Sequence, residues 1–344
     1  MQYELRYQVI EPKRQTFQYL IDRFGDRPSS RYQEGTIDIQ PREHFHYRPT
    51  WAPDKELYDT AFSALRLTDP YSFLDPRQYY YAPYVTARAA HHEAFGQTLS
   101  YLEERDLLAK LPEAWWTALR TVIIPLRHYE SGAQLLSVTG ARFAYGTSIE
   151  QCCSFASFDR IGNAQMLSRV GIAAGGGTPE LLANAKEAWL GAEHLQPLRR
   201  LVEEAMVEGD WAVGILAVDL VDALVYPMVF RGLDDAALLG GAGAWSLVAQ
   251  HFDRWYMDQR RWLDALLAAW AADPDHGQAN IDALDAIRSA WAPAARGAVE
   301  ALAGALDALV PDAKVTAQVA GHAEADAGRW PTATARTTTT EGSR

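Results

Sequence analysis

The stretch AWSLVAQHFDRWYMDQRRWLDALLAAWA, residues 244–271, decides the fold. Trp245, Val248, Phe252, Trp255, Trp262, Leu266 and Trp270 recur in it at steps of three and four residues or their sums. That spacing puts large apolar side chains on one face of an α-helix, which must then be buried. Similar patterns run outward from it and predict helices over residues 85–108, 112–138, 147–170, 179–190, 195–207, 211–230 and 281–309. Several begin with Pro or with Asp, Ser or Thr near the first turn, as capping favours. Pro125 falls inside the 112–138 pattern and should bend that helix.

The chain divides into three parts. Residues 1–84 form an arm rich in Pro, Tyr, Arg and Asp, residues 85–310 a helical body, and residues 311–344 a tail. In the arm, Gly25-Asp26-Arg27-Pro28, Arg48-Pro49-Thr50-Trp51-Ala52-Pro53 and Asp75-Pro76-Arg77 break any long helix. Only a short helix near Arg14 to Phe24 is expected there. So long an irregular stretch needs something to lie on, either its own body or another chain. Periodicity fades after Val310, and Thr337-Thr338-Thr339-Thr340 reads as part of a disordered tail.

The 344 residues are 48% hydrophobic, ample for one large helical domain with an appended arm. The net charge of −12, from 32 basic and 44 acidic residues, argues against nucleic acid and anionic membrane surfaces as partners. No stretch reads as a membrane span, and the polar start, Met1 to Ile10, is not a signal peptide. Cys152 and Cys153 are adjacent, which suits neither a disulfide framework nor a metal knuckle, so a reducing cytoplasm is expected.

The short motifs carry little chemistry. Gly175-Gly176-Gly177-Thr178-Pro179 has no following Lys and no preceding strand, so it reads as an interhelical turn rather than a phosphate cradle. His91 and His92 point about 100° apart on a helix and do not converge on one ion. Glu43-x-x-His46 has metal-ligand spacing only on a helix, and Pro41 and Pro49 flank it. A nucleophile elbow, a Cys-x-x-Cys pair and a dinucleotide fingerprint are all missing.

A helical bundle can hold two irons through a lone Glu on each of two helices and Glu-x-x-His on each of two others. Neither best candidate helix carries that pair. One has Phe158-Asp159-Arg160-Ile161-Gly162-Asn163, the other Asp258-Gln259-Arg260-Arg261-Trp262. Both phrases resemble the Asp-Glu-x-x-His helices of bacterial multicomponent monooxygenases with the ligands replaced. On that motif Arg160 and Gln259 take the Glu positions, Asn163 and Trp262 the His positions. Cationic Arg cannot ligate iron, and Trp offers only an N–H donor. The lone carboxylates belong in the segment Pro125–Ala133 and on the helix with Asp219 and Asp222. The i, i+3 spacing predicts that Arg160, Asn163, Gln259 and Trp262 meet at the centre, with Asp222 or Asp219 paired to Arg160.

The arm narrows the resemblance. Arg23-Phe24-Gly25-Asp26-Arg27-Pro28, Ser30-Arg31-Tyr32-Gln33-Glu34, Phe45-His46-Tyr47-Arg48-Pro49-Thr50-Trp51 and Asp75-Pro76-Arg77-Gln78-Tyr79-Tyr80-Tyr81 are similar to the β subunit of the bacterial phenol hydroxylase oxygenase component. So is Val122-Ile123-Ile124-Pro125-Leu126-Arg127-His128. The similarity runs from about Gln8 to about Leu309. It implies an all-α, ferritin-like bundle with an extended N-terminal arm and no metal, cofactor or catalytic residue of its own. It further implies a diiron α subunit and a small γ subunit, two copies of each chain, with a transient effector protein and a reductase carrying FAD and iron–sulfur that draws on NADH. The expected role is to scaffold ring hydroxylation by O₂. Tyr47, Arg48, Trp51, Tyr79, Tyr80 and Tyr81 are the expected anchors on the α chain, because aromatics and Arg dominate interface energies. The competing readings are a self-contained diiron enzyme, whose paired Glu-x-x-His helices the sequence does not offer, and a helical binding or storage protein unrelated to oxygenases, which leaves the aromatic arm unexplained.

Overall fold

The computed structural model describes residues 17–40, 50 and 53–331. Among them every regular element is helical, and the chain is all-α as expected. The arm carries α1 (Gln18–Phe24) and α2 (Arg31–Thr36). A capping box starts α2: Ser30 Oγ accepts from the Gln33 amide at 3.2 Å, and Gln33 Oε1 accepts from the Ser30 amide at 2.9 Å. The body follows as α3 (Tyr81–Glu104), α4 (Glu113–Ala118), α5 (Leu126–Phe143), α6 (Thr147–Ala174), α7 (Glu180–Gly191), α8 (Gln196–Ala205), α9 (Trp211–Val225), α10 (Asp234–Leu239), α11 (Gly243–Ala272) and α12 (Gly277–Leu309).

Two predicted helices are interrupted at proline. The 112–138 pattern splits into α4 and α5 around a π-helical turn, Leu119–Ile123, with Pro125 immediately before α5. The 211–230 pattern ends as α-helix at Val225 and continues as a π-helical turn, Tyr226–Gly232, that contains Pro227. Proline withholds an N–H and crowds the preceding turn, and widening that turn relieves both.

The tail expectation needs correction over residues 311–331, while Thr337-Thr338-Thr339-Thr340 lie outside the described residues. Pro311–Ala313 form a 3₁₀ turn and Val315–Ala327 form a further helix, α13. Val315, Val319 and Trp330 are buried there. The start of α13 is capped from a distance, because the Asp307 carboxylate on α12 accepts from the amides of Val315 at 2.7 Å and Thr316 at 3.0 Å. Such a cap leaves no local trace in sequence.

The run Trp211–Leu239 also departs from the sequence reading. It is long and apolar enough to cross a bilayer by length and composition, yet 89% of its most apolar window is buried inside the molecule. Its apolar surface belongs to the core rather than to lipid.

Helices α5 and α6 form an antiparallel hairpin, with α9 and α11 packed against it and α12 packed on α9 and α11. Gly140 lets the hairpin close on α9: a Cβ there would lie 2.7 Å from Ile215 Cδ1 and 2.8 Å from Cys153 Sγ. The described part of the arm lies on this body. Tyr32 accepts from the Asp75 amide at 2.7 Å and meets Ser148 Oγ at 3.4 Å. Gln40 donates to Ala144 O at 2.9 Å and accepts from the Gly146 amide at 2.9 Å. Asn280 on α12 brackets Arg66, accepting its amide at 2.9 Å and donating to its carbonyl at 2.7 Å. Leu20, Ile37, Phe62, Leu65, Tyr71 and Phe73 are buried.

Candidate functional site at the bundle centre

Four helices bring polar side chains to the middle of the apolar bundle. Glu130 comes from α5, Arg160 and Asn163 from α6, Asp222 from α9, and Gln259 and Trp262 from α11. All six are buried. The pairs at i, i+3 on α6 and α11 face inward because residues three apart share a helical face.

Arg160 organises the centre. Its Nη1 donates to Glu130 Oε2 at 3.2 Å and to Asp222 Oδ1 at 3.1 Å, and its Nη2 donates to Asp222 Oδ2. One guanidinium thus bridges carboxylates from two different helices. Burial works against the Arg160 charge, but Asp222 and Glu130 more than reverse this and hold it protonated. Its face lies 4.8 Å from the Trp255 ring centroid.

Phenols and an amide complete the carboxylates' hydrogen bonds. Tyr129 donates to Asp222 Oδ1 at 2.6 Å and Tyr226 donates to Glu130 Oε1 at 2.7 Å. Asn163 Nδ2 donates to the Tyr226 hydroxyl at 3.1 Å and lies 3.4 Å from Glu130 Oε2. Burial raises both phenol pKa values far above the ordinary range, so each remains a donor. Burial also raises the Glu130 pKa, against the pull of Arg160.

Gln259 and Trp262 complete the convergence, lining one narrow void with Arg160, Asp219 and Asp222. Glu130 and Asp222 are the carboxylates from the two regions the sequence singled out. Asp219, the other candidate partner of Arg160, pairs with Arg260 instead. Tyr226, Tyr129 and Arg88 escaped the sequence reading. Tyr129 adjoins Glu130 in the quoted segment, whereas Tyr226 owes its place to the π turn and Arg88 to packing between helices.

The pattern of one carboxylate on each of two helices and an i, i+3 pair on each of two others is that of a ferritin-like dimetal bundle. The donor set does not fit two irons. A cation stands between the two carboxylates, and Asn, Gln and Trp replace the anionic and imidazole ligands. Among the described residues, no group of three or more His, Cys, Asp or Glu side chains could hold a metal ion.

The other sequence candidates are separate from this centre. His91 and His92 are half-buried with rings edge to face at 5.8 Å, and burial pulls His91 down to about 4. Tyr79 stacks under Arg77 at 4.7 Å and meets Tyr84 edge-on at 6.0 Å, so it is engaged within the chain. Tyr80 is half-buried, while Tyr81 is 76% exposed. Tyr47, Arg48, Trp51 and the Glu43–His46 phrase lie outside the described residues.

Comparison with known proteins places the chain in one family. The methane/phenol/alkene hydroxylase family model covers residues 51–274. The phenol 2-monooxygenase oxygenase component DmpL of Pseudomonas sp. (strain CF600) is 37% identical over 304 residues, which are 88% of this chain and 91% of that protein. The oxygenase component MhpL of Acinetobacter pittii (strain PHEA-2) is 34% identical, covering 91% of this chain and 97% of its own length. A chain of the xenon-pressurised phenol hydroxylase from Pseudomonas sp. OX1 superposes with a TM-score of 0.82 at 33% identity, over 93% of this chain and 98% of that one. The chain belongs to the methane/phenol/alkene hydroxylase family.

Proposed function

We propose that this chain is the non-catalytic β subunit of the hydroxylase of a multicomponent phenol or related aromatic monooxygenase. The observation that carries the reading is Arg160 between Glu130 and Asp222. A family built around a dimetal bundle here keeps the carboxylates but fills the space between them with a tethered cation. Helices α5, α6 and α9 are thereby held together by a salt-bridge network, and oxygen chemistry falls to another chain.

On this reading the diiron centre sits in an α subunit, and a γ subunit completes a hydroxylase with two copies of each chain. An effector protein and a reductase with FAD and iron–sulfur bind transiently and supply electrons from NADH. One oxygen atom of O₂ enters the aromatic ring. The complex works in the cytoplasm, away from nucleic acid and membranes. The arm residues Tyr47, Arg48, Trp51, Tyr79, Tyr80 and Tyr81 contribute anchors to the α chain, Tyr81 being the most available of those described.

The test is coexpression with the neighbouring hydroxylase subunits, followed by iron analysis and phenol turnover. The expected result is a stable complex with iron in the α subunit, and an isolated β chain that takes up none. About two irons per molecule of the isolated chain would overturn the assignment.

A further inference from the structure

The narrow void at the bundle centre has an unmet demand for hydrogen bonds. Arg160, Asp219, Gln259 and Trp262 all line it, and each is 4% exposed or less. Each carries one buried polar atom with no hydrogen-bond partner: Arg160 Nε, Asp219 Oδ2, Gln259 Oε1 and Trp262 Nε1. The Asp219 oxygen has only a distant cation, Arg329 Nη2 at 3.8 Å. Leaving such groups unpaired in an apolar core is costly, and buried polar atoms are almost always satisfied.

The four atoms divide into two donors and two acceptors. Arg160 Nε–H and Trp262 Nε1–H can only donate, while Gln259 Oε1 and the Asp219 carboxylate oxygen can only accept. One water molecule offers two lone pairs and two protons, the complement of that set. The void also has room for one water and little more. The rest of the lining is mostly apolar, among it Leu136, Ile215, Val218 and Leu263, with Ser137 and Asp222 the other polar residues.

We propose that this void is a binding site for a single ordered water, held by Trp262, Gln259, Asp219 and Arg160. It gives Gln259 and Trp262, which take no part in the Arg160 salt bridges, a defined role. The centre then holds a tethered cation and a neutral solvent molecule. The inference rests on this chain's own geometry and stands or falls independently of which complex the chain joins.

The test uses crystals of the full chain or its complex, with anomalous data collected at metal absorption edges, together with Trp262→Phe and Gln259→Met. A single water-sized density peak within hydrogen-bond distance of Trp262 Nε1 and Gln259 Oε1, without anomalous signal, is expected. Water-¹⁷O relaxation dispersion should count one long-lived water fewer in the Trp262→Phe/Gln259→Met double variant, whose helical content should match the parent. An empty void, a metal peak at that position, or an unchanged count of long-lived waters in the folded double variant would each overturn the proposal.

Discussion

Asp159 and Asp258 share one cation. The Arg88 guanidinium donates from Nε to Asp159 Oδ1 at 2.8 Å and from Nη2 to Asp258 Oδ2 at 2.7 Å. Each aspartate directly precedes an inward-facing position, Arg160 on α6 and Gln259 on α11. Arg88, from α3, therefore ties both helices together one residue away from the centre. Asp159 also accepts from the Tyr84 hydroxyl at 2.8 Å and Trp255 Nε1 at 3.0 Å.

Arg88→Met should strand that buried carboxylate. The Asp159 side chain is 1% exposed, so loss of its cation should cost about 3 kcal/mol, near the lower end for a broken buried pair because two neutral donors remain. Urea unfolding followed by circular dichroism measures this. A loss below about 0.5 kcal/mol, typical of unremarkable surface positions, would mean that Tyr84 and Trp255 suffice.

Arg160→Met should be more damaging, because it leaves two carboxylates facing each other without a cation. The expected loss is about 4–5 kcal/mol, which takes up much of the stability of an ordinary domain. Adding Glu130→Gln and Asp222→Asn should restore most of it, since the remaining groups are then neutral and still hydrogen-bonded. A triple variant no more stable than Arg160→Met would show that packing of the guanidinium, rather than its charge, holds the centre.

Much of this was legible in the sequence. The Trp-rich face of α11 fixed the helix, and the i, i+3 pairs fixed which side of α6 and α11 turns inward. Glu130 and Asp222 lay in the regions singled out for lone carboxylates. The remainder depends on contacts between distant segments. Asp307 caps α13 from the preceding helix, the π turn turns Tyr226 toward Glu130, and Arg88 reaches its aspartates from a third helix. None of these leaves a periodic signal, because each is set by how helices pack and not by spacing along one of them.

The arm should loosen first at Thr68. Asp273, at the turn between α11 and α12, accepts from the Thr68 amide at 2.7 Å and hydroxyl at 2.6 Å and from the His276 amide at 2.9 Å. Burial pushes the Asp273 pKa up, but these donors outweigh it and hold it below the ordinary 3.8. A carboxylate with a depressed folded pKa adds stability that is fully present above its unfolded value and is lost as pH falls through the folded one. Asp273→Ala should cost about 2 kcal/mol at neutral pH, speed proteolysis near residue 68 and remove the part of acid destabilisation that sets in below about pH 4. An acid limb identical to the parent's would place that sensitivity elsewhere.

Tyr81 separates the two candidate roles of the arm. It is 76% exposed at the start of α3, whereas Tyr79 is tied to Arg77, Tyr84 and, at 3.5 Å, Asp258. A side chain that touches little of its own body contributes little to folding, so Tyr81→Ala should change unfolding stability by no more than about 0.5 kcal/mol. If Tyr81 anchors the α subunit, the same substitution should weaken the complex by about 1–2 kcal/mol, roughly tenfold in affinity, because aromatic anchors carry a large share of interface energy. Tyr79→Ala should show the reverse order, with a measurable loss of folding stability and a smaller direct effect on binding. Calorimetric titration of the α subunit into each variant, beside its denaturation curve, distinguishes them. Unchanged affinity in Tyr81→Ala would leave the arm serving its own body, where Tyr32 at Ser148, Gln40 and Arg66 already bind it, and would move the interface to the outer faces of the helices.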